Sequence, residues 1–175
     1  MVSVEESGPR LVVLCGLPGV GKSTVGELLV DRLDALDAEA RLLRTDVLRK
    51  ELVAEPTYSD AETERVYRAL FERARAVLDA GQWAVLDGTF RDRPLRDRAA
   101  DTADDAEVEP LFVKVTCEES VAMDRIRERT DDESDAEIEE YDHFREIFDP
   151  LERDHVTVDN SGERAETRER VADLF

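Results

Sequence analysis

Gly16, Leu17, Pro18, Gly19, Val20, Gly21, Lys22 and Ser23 fit the pattern G-x-x-x-x-G-K-[ST] at every fixed position, and Thr24 follows. Residues of these types in this order suit the gripping of a polyphosphate. Glycines let the backbone curl so that successive N–H groups converge on phosphate oxygens, and the first turn of a following helix adds a positive dipole end. The Lys22 ammonium can then reach the β- and γ-phosphates, the Ser23 hydroxyl can coordinate Mg²⁺, and Thr24 can donate to the α-phosphate. The chemistry implied is binding of a nucleoside triphosphate. The motif by itself serves transfer to an acceptor and hydrolysis equally.

Other polar residues carry a second layer of expectation. Asp87 ends the run Trp83-Ala84-Val85-Leu86, where a carboxylate can hold Mg²⁺ through water or simply cap the next turn. Asp46 follows the run Ala40 to Leu43 and can accept a proton from an acceptor hydroxyl, or cap a short helix. Arg49, one turn on, can bind an anionic substrate, steady that base, or face solvent. Arg125 and Arg129 are four apart on one helical face, placed to stabilise charge during phosphoryl transfer or to pair with neighbouring acids. Arg91, Arg93, Arg96 and Arg98 follow Asp87 closely, and nothing in the pattern ranks them. Asp159-Asn160-Ser161-Gly162 reads either as a base-contacting loop or as a plain turn.

The elements that must position these groups are short apolar runs alternating with amphipathic segments. Leu11–Leu14, Ala40–Leu43, Trp83–Leu86, Leu111–Val115 and Val156–Val158 read as strands of a parallel sheet covered on both faces. Val25, Leu28, Leu29, Leu33 and Leu36 share one helical face, as do Val66, Leu70, Ala74, Val77 and Leu78. The latter helix opens on the capping box Ser59-Asp60-Ala61-Glu62 and closes at Gly81. A second box, Ser134-Asp135-Ala136-Glu137, starts a helix that ends before Pro150, and a last helix covers Glu163–Leu174. Strand alternating with helix predicts an α/β fold with right-handed crossovers. We expect a tail over residues 1–9 and a single domain over 10–175. Its polar stretch Arg127–Ser134 is an exposed loop or part of a lid spanning about 118–135.

Composition bounds the function classes. The 175 residues carry 44 Asp plus Glu against 24 Lys plus Arg, a formal charge of −20, yet 41% are hydrophobic. That is enough for a core, so a disordered acidic chain is excluded. The charge argues against nonspecific duplex nucleic-acid binding. It is consistent with a heavily hydrated surface adapted to high salt. No apolar stretch is long enough for a bilayer, and Met1–Pro9 lacks the apolar core of a signal peptide, so a cytoplasmic setting with reduced Cys15 and Cys117 is expected.

Together, Gly16 to Thr24, Thr45-Asp46-Val47-Leu48-Arg49-Lys50, Leu86-Asp87-Gly88-Thr89-Phe90 and Ser134-Asp135-Ala136 resemble the small P-loop kinases grouped with the kinase domain of polynucleotide kinase and zeta-toxin-like kinases. The likeness to predicted ATP-binding kinases, stand-alone or fused to aminoglycoside-phosphotransferase-like domains, runs from about Leu11 to about Ser161. The resemblance implies a three-layer P-loop NTPase fold with strand order 2-3-1-4-5, an Arg-bearing lid, and ATP with Mg²⁺ as donor. On this resemblance Asp46 is the acceptor-side acid, Arg49 its companion, Asp87 the strand-three acid, and Arg125 and Arg129 the lid arginines. Gly88 stands where Ala or Thr is commoner, a departure that bears on the acceptor. The activity implied is transfer of the γ-phosphoryl to a hydroxyl of a small molecule or a nucleic-acid 5′ end, with no obligate protein partner. A nucleoside-monophosphate kinase and an ATP-binding switch without an acceptor are the competing expectations.

Overall fold

The computed structural model describes the backbone of residues 8–129 and 134–175, and the side chains of all of these except 129 and 134–140. The expected tail over 1–9 lies mostly outside the described residues, as do the tip of the expected lid, the side chain of Arg129 and the side chains of the second capping box.

Five parallel strands form one sheet in the order β2-β3-β1-β4-β5. They are β1 (Leu11–Cys15), β2 (Ala40–Arg44), β3 (Trp83–Asp87), β4 (Pro110–Thr116) and β5 (His155–Asp159). Among the described residues six helices lie between the strands, α1 (Lys22–Asp34), α2 (Thr45–Leu52), α3 (Asp60–Asp79), α4 (Arg93–Asp105), α5 (Glu119–Arg129) and α6 (Ser134–Ile147), and a seventh, α7 (Arg164–Ala172), follows β5. The sequence pattern marks no helix at α4, whose apolar face is three alanines and one leucine and gives a faint period. Arg127, expected in a loop or lid, is helical within α5.

The apolar runs are continuous because both faces are covered. Leu11, Val13 and Cys15 of β1 pack with α3 and α4, while Val12 and Leu14 pack with α1. The face under α3 and α4 takes Leu70, Phe71, Ala99 and Ala103; the opposite face takes Leu28, Leu29, Val113 and Val171. Trp83 meets Phe175 edge-on at 5.7 Å. Burying each large apolar side chain contributes about 1.5–3 kcal/mol, which lets a chain this acidic hold a compact core. The Cys15 thiol sits in that core, and burial pushes its pKa up to about 12, so it packs as a small apolar group.

Register brings the polar strand ends to one edge. Leu14 and Arg44 both pair with Asp87 across the sheet, Cys15 with Lys114 and Thr116 with Asp159. The loops after β1, β2, β3 and β5 therefore open on the same side, where ligands bind in open parallel sheets.

Candidate active site

The loop between β1 and α1 is bent by backbone that only glycine adopts easily. Gly21 has φ of 86°, and a Cβ there would come within 2.1 Å of the Asn160 amide nitrogen. Asn160, buried just past β5, donates from Nδ2 to the Val20 carbonyl at 2.8 Å and accepts from Thr167 Oγ1 at 2.8 Å. Its own N–H donates to Thr116 O at 2.7 Å. Arg125 completes this bracket, donating from Nη2 to Asn160 O at 2.9 Å and from Nη1 to Val20 O at 3.4 Å. Arg125 thus stands beside the phosphate loop, on its backbone carbonyls. Asp159 accepts from both the N–H and the hydroxyl of Ser161, which lowers its pKa, so this segment is a hydrogen-bonded turn that clamps the loop. A lone Asn in a polar turn gave no sign of that role in the sequence.

Lys22 leans over the loop, its Nζ donating to the carbonyls of Gly16 at 3.0 Å and Leu17 at 2.8 Å. One residue on, Ser23 Oγ donates to Asp87 Oδ2 at 2.6 Å. Arg44, which no motif flagged, closes β2 between the acids. Its Nη2 donates to Asp46 Oδ2 at 3.0 Å and to Ser23 Oγ at 3.1 Å, and its Nε lies 3.5 Å from Asp87. Asp46 is in the first turn of α2, with Oδ1 accepting from Val47 N at 2.8 Å and a side chain 57% exposed to the cleft. The structure thus brings Lys22, Ser23, Asp46 and Asp87 together around one opening.

That opening is a cleft of about 760 Å³, with Pro18, Lys22, Ser23, Asp46 and Asp87 toward its nucleotide end. Arg49, Tyr58, Tyr67, Arg91 and Phe144 line the rest. Arg49 neither faces solvent nor steadies Asp46. Its Nη1 donates to Glu62 Oε1, and its guanidinium lies 4.7 Å from the centre of the Tyr58 ring. The capping box at Ser59 is half reciprocal for the same reason. Ser59 Oγ accepts from Glu62 N at 3.3 Å, but the Glu62 carboxylate turns to Thr57 and Arg49 instead of back to Ser59.

The four arginines after β3 now separate. Arg91 lines the cleft. Arg96 is 2% exposed and donates to the carbonyls of Phe90, Arg91, Asp149 and Pro150 at 2.8–3.2 Å, stapling the loop after β3 to the segment after α6. Arg93 and Arg98 pair with exposed acids. Gly88 has no room for a Cβ, which would stand 2.9 Å from Tyr67 Oη and 3.0 Å from Thr45 Cγ2. The unusual glycine is therefore matched by the tyrosine that fills its place.

The donor set suits magnesium: one hydroxyl and one carboxylate at 2.6 Å, beside a loop shaped for phosphates, with all ligands oxygen. Ser23 would hold the ion directly, with Asp87 behind it.

A family model described as AAA domain matches residues 11–151. The chain belongs to the AAA domain family. Over 91 residues it is 41% identical to an adenylyl-sulfate kinase of Burkholderia ambifaria, a match covering 51% of this chain and 50% of that protein. Over 148 residues, 78% of the chain, it is 30% identical to an uncharacterized protein of Mycobacterium tuberculosis, covering 29% of it. The matched region thus spans half the length of the first curated relative and under a third of the second. Among solved structures, the Mycobacterium tuberculosis APS kinase CysC in complex with AMPPNP and APS superposes with a TM-score of 0.75 at 21% identity, over 96% of this chain and 98% of that one. A gluconokinase from Sinorhizobium meliloti 1021 gives 0.68 at 24% identity, over 96% and 92%. At these identities the likeness is one of fold, and this AAA domain shares it over nearly its whole length.

Proposed function

We propose that this AAA domain is a phosphotransferase that moves the γ-phosphoryl of ATP to a hydroxyl of a small-molecule acceptor. The observation that carries the reading is the convergence of Lys22, Ser23, Asp87 and Asp46 on one cleft. The resemblance to small P-loop kinases of the polynucleotide-kinase and zeta-toxin-like group supports it, as do the relatives named as kinases. The loop from Gly16 to Thr24 binds the phosphates through the Lys22 ammonium and its backbone N–H groups, apart from Pro18, which has none, and Gly16, which donates to Thr89 O at 3.3 Å. Ser23 and Asp87 would hold a magnesium ion, which would supply neutralisation of the charge that develops on the phosphates. The acceptor oxygen forms a bond to the γ-phosphorus, the bond to the β,γ-bridging oxygen breaks, and ADP leaves. The hydroxyl proton passes to Asp46, which lies open to the cleft. Arg125 rigidifies the loop from the side of β5 and, with Arg129, is the arginine pair of a lid that we propose over about 118–135.

Calorimetry with Mg·ATP, followed by ADP release across a panel of alcohols, tests the reading. We expect binding that Lys22→Ala abolishes and release above the water background for an accepted alcohol. A folded chain that binds no triphosphate would refute it. We read the excess of carboxylates as adaptation to a high-salt cytoplasm, so both assays are run in molar KCl.

A further inference from the structure

We infer that the acceptor is an alcohol bearing no phosphate, sulfate or carboxylate. This rests on the phosphotransfer reading and names the substrate class of the same cleft. The argument begins with Arg49, which lies one helical turn beyond Asp46 and lines the cleft where an anionic acceptor would be clamped. Its charge is already taken. Nη1 donates to Glu62 Oε1, and the two side chains are 11% and 7% exposed. The other oxygen of Glu62 accepts from Thr57 N at 2.7 Å and Thr57 Oγ1 at 2.9 Å. Those bonds hold the carboxylate ionised, with its pKa at about 2. The open face of Arg49 is covered by the Tyr58 ring. An incoming anion would have to displace a carboxylate that is hydrogen-bonded on both oxygens and shielded from water.

Two of the remaining cations, Arg91 and Arg44, are paired as well. Arg91 Nε donates to both oxygens of Asp92, at 3.3 and 3.2 Å, and its guanidinium lies 5.5 Å from the Phe144 ring centre. Arg44 is shared among Asp46, Ser23 and Asp87. Lys50 and Asp60, both exposed, opposite in sign and not ion-paired with each other, complete the charged groups that line the acceptor half among the described residues, with His143 beside Phe144. Among the described residues that line this half or pair with its cations, the acids Asp46, Asp60, Glu62, Asp87 and Asp92 outnumber the cations Arg44, Arg49, Lys50 and Arg91. What the cleft offers instead is aromatic surface. The Tyr58 side of the cleft is open, with that residue 70% exposed and held at φ of 54°, and Phe144, Tyr67, Thr63 and Thr89 lie in the lining. Rings with a few hydroxyl partners suit the apolar faces of a polyol, sugar or aromatic alcohol.

Matched acceptors test this: glucitol against gluconate, methyl shikimate against shikimate, adenosine against adenylyl sulfate, each with Mg·ATP and ADP release as readout. In any pair that is used, the neutral member should be faster by about tenfold or more; an anionic member ahead overturns the inference. Binding supplies the second arm. With the phosphate loop filled by Mg·AMPPNP, wild type titrated with inorganic sulfate should show no binding below about 10 mM, whereas Glu62→Gln, which uncovers the Arg49 charge, should bind sulfate at least about tenfold more tightly. Wild type that binds sulfate as well as the variant overturns it, and the wild-type titration decides even if the variant fails to fold. A chain that binds no Mg·AMPPNP sinks the phosphotransfer reading itself, and this inference with it. One that binds nucleotide and prefers anions sinks only the inference.

Discussion

Ser23 Oγ donates to Asp87 Oδ2 at 2.6 Å, joining the first turn of α1 to the C-terminal end of β3. The parallel pairing of β1 with β3 sets Leu14 opposite Asp87, so the phosphate loop starts at the level of the acid. Arg44, at the equivalent place on β2, touches both residues and extends the chain of contacts to Asp46. Three neighbouring strands thus deliver one hydroxyl, one guanidinium and two carboxylates to the mouth of a single cleft.

Asp87→Asn keeps the size of the side chain and a hydrogen-bond acceptor for Ser23 but removes the charge. If Asp87 stands behind a Ser23-bound magnesium ion, the variant should need about 10–100-fold more Mg²⁺ for half-maximal turnover, while ATP binding measured without the metal changes little. A Mg²⁺ titration of ADP release measures this; an unchanged midpoint leaves Asp87 a structural partner of Ser23 and Arg44.

Asp46→Asn separates the proton acceptor from its surroundings. The amide oxygen can still accept from Val47 N or from Arg44, so α2 should start as before. Loss of the basic oxygen should lower transfer by roughly 10²–10⁴ without weakening Mg·ATP binding. Single-turnover transfer alongside calorimetry separates the two effects. Wild-type transfer by the variant would return Asp46 to a role at the helix start.

The sheet was legible because β1, β3 and β4 are apolar on both faces, a pattern that only a covered parallel sheet accommodates. The phosphate loop was legible because its chemistry is compressed into consecutive residues. The contacts of Arg44, Arg96 and Asn160 were not, because each depends on partners far along the chain, and those of Glu62 were not, because its partners Thr57 and Arg49 lie outside its own helix. Arg96 bonds to carbonyls at 149 and 150, and Asn160 reaches back to Val20. In a chain with 44 acids every arginine has many candidate partners, so nothing in the sequence singles out the buried pairing of Arg49 with Glu62, 13 residues on, from an exposed i,i+4 pair such as Arg75 with Asp79. The helix α4 escaped for a related reason: alanines bury well against a sheet but mark no strong period.

Arg96→Met should be among the most damaging changes outside the cleft. The side chain keeps an unbranched apolar stem and loses every donor, leaving four backbone carbonyls without their buried partner. An unsatisfied buried polar group costs about 1–3 kcal/mol, and partial relaxation of the segment after α6 should hold the total to about 2–4 kcal/mol. For a chain of this size that is a fall in Tm of roughly 5–15 °C. Denaturant unfolding at fixed KCl measures it, and a loss under about 0.5 kcal/mol would mean that the staple is dispensable.

Glu62 should leave a signature in acid. The Thr57 N–H bonded to its carboxylate, with Arg49 beside it, depresses its pKa from 4.5 to about 2 in the folded chain. A folded-state pKa below the unfolded one means that the unfolded chain binds the proton more readily, so the stabilisation is present above about pH 4.5 and is lost as the pH falls toward 2. Glu62→Gln has no charge to lose. The wild type should therefore exceed the variant in urea midpoint at about pH 6, and the gap should close steadily between about pH 4.5 and pH 2. The other carboxylates titrate in both proteins and cancel in the comparison. A gap of the same size at both ends of that range would show that Glu62 acts through shape and neutral hydrogen bonds, and that Arg49 is not held by a firmly ionised partner.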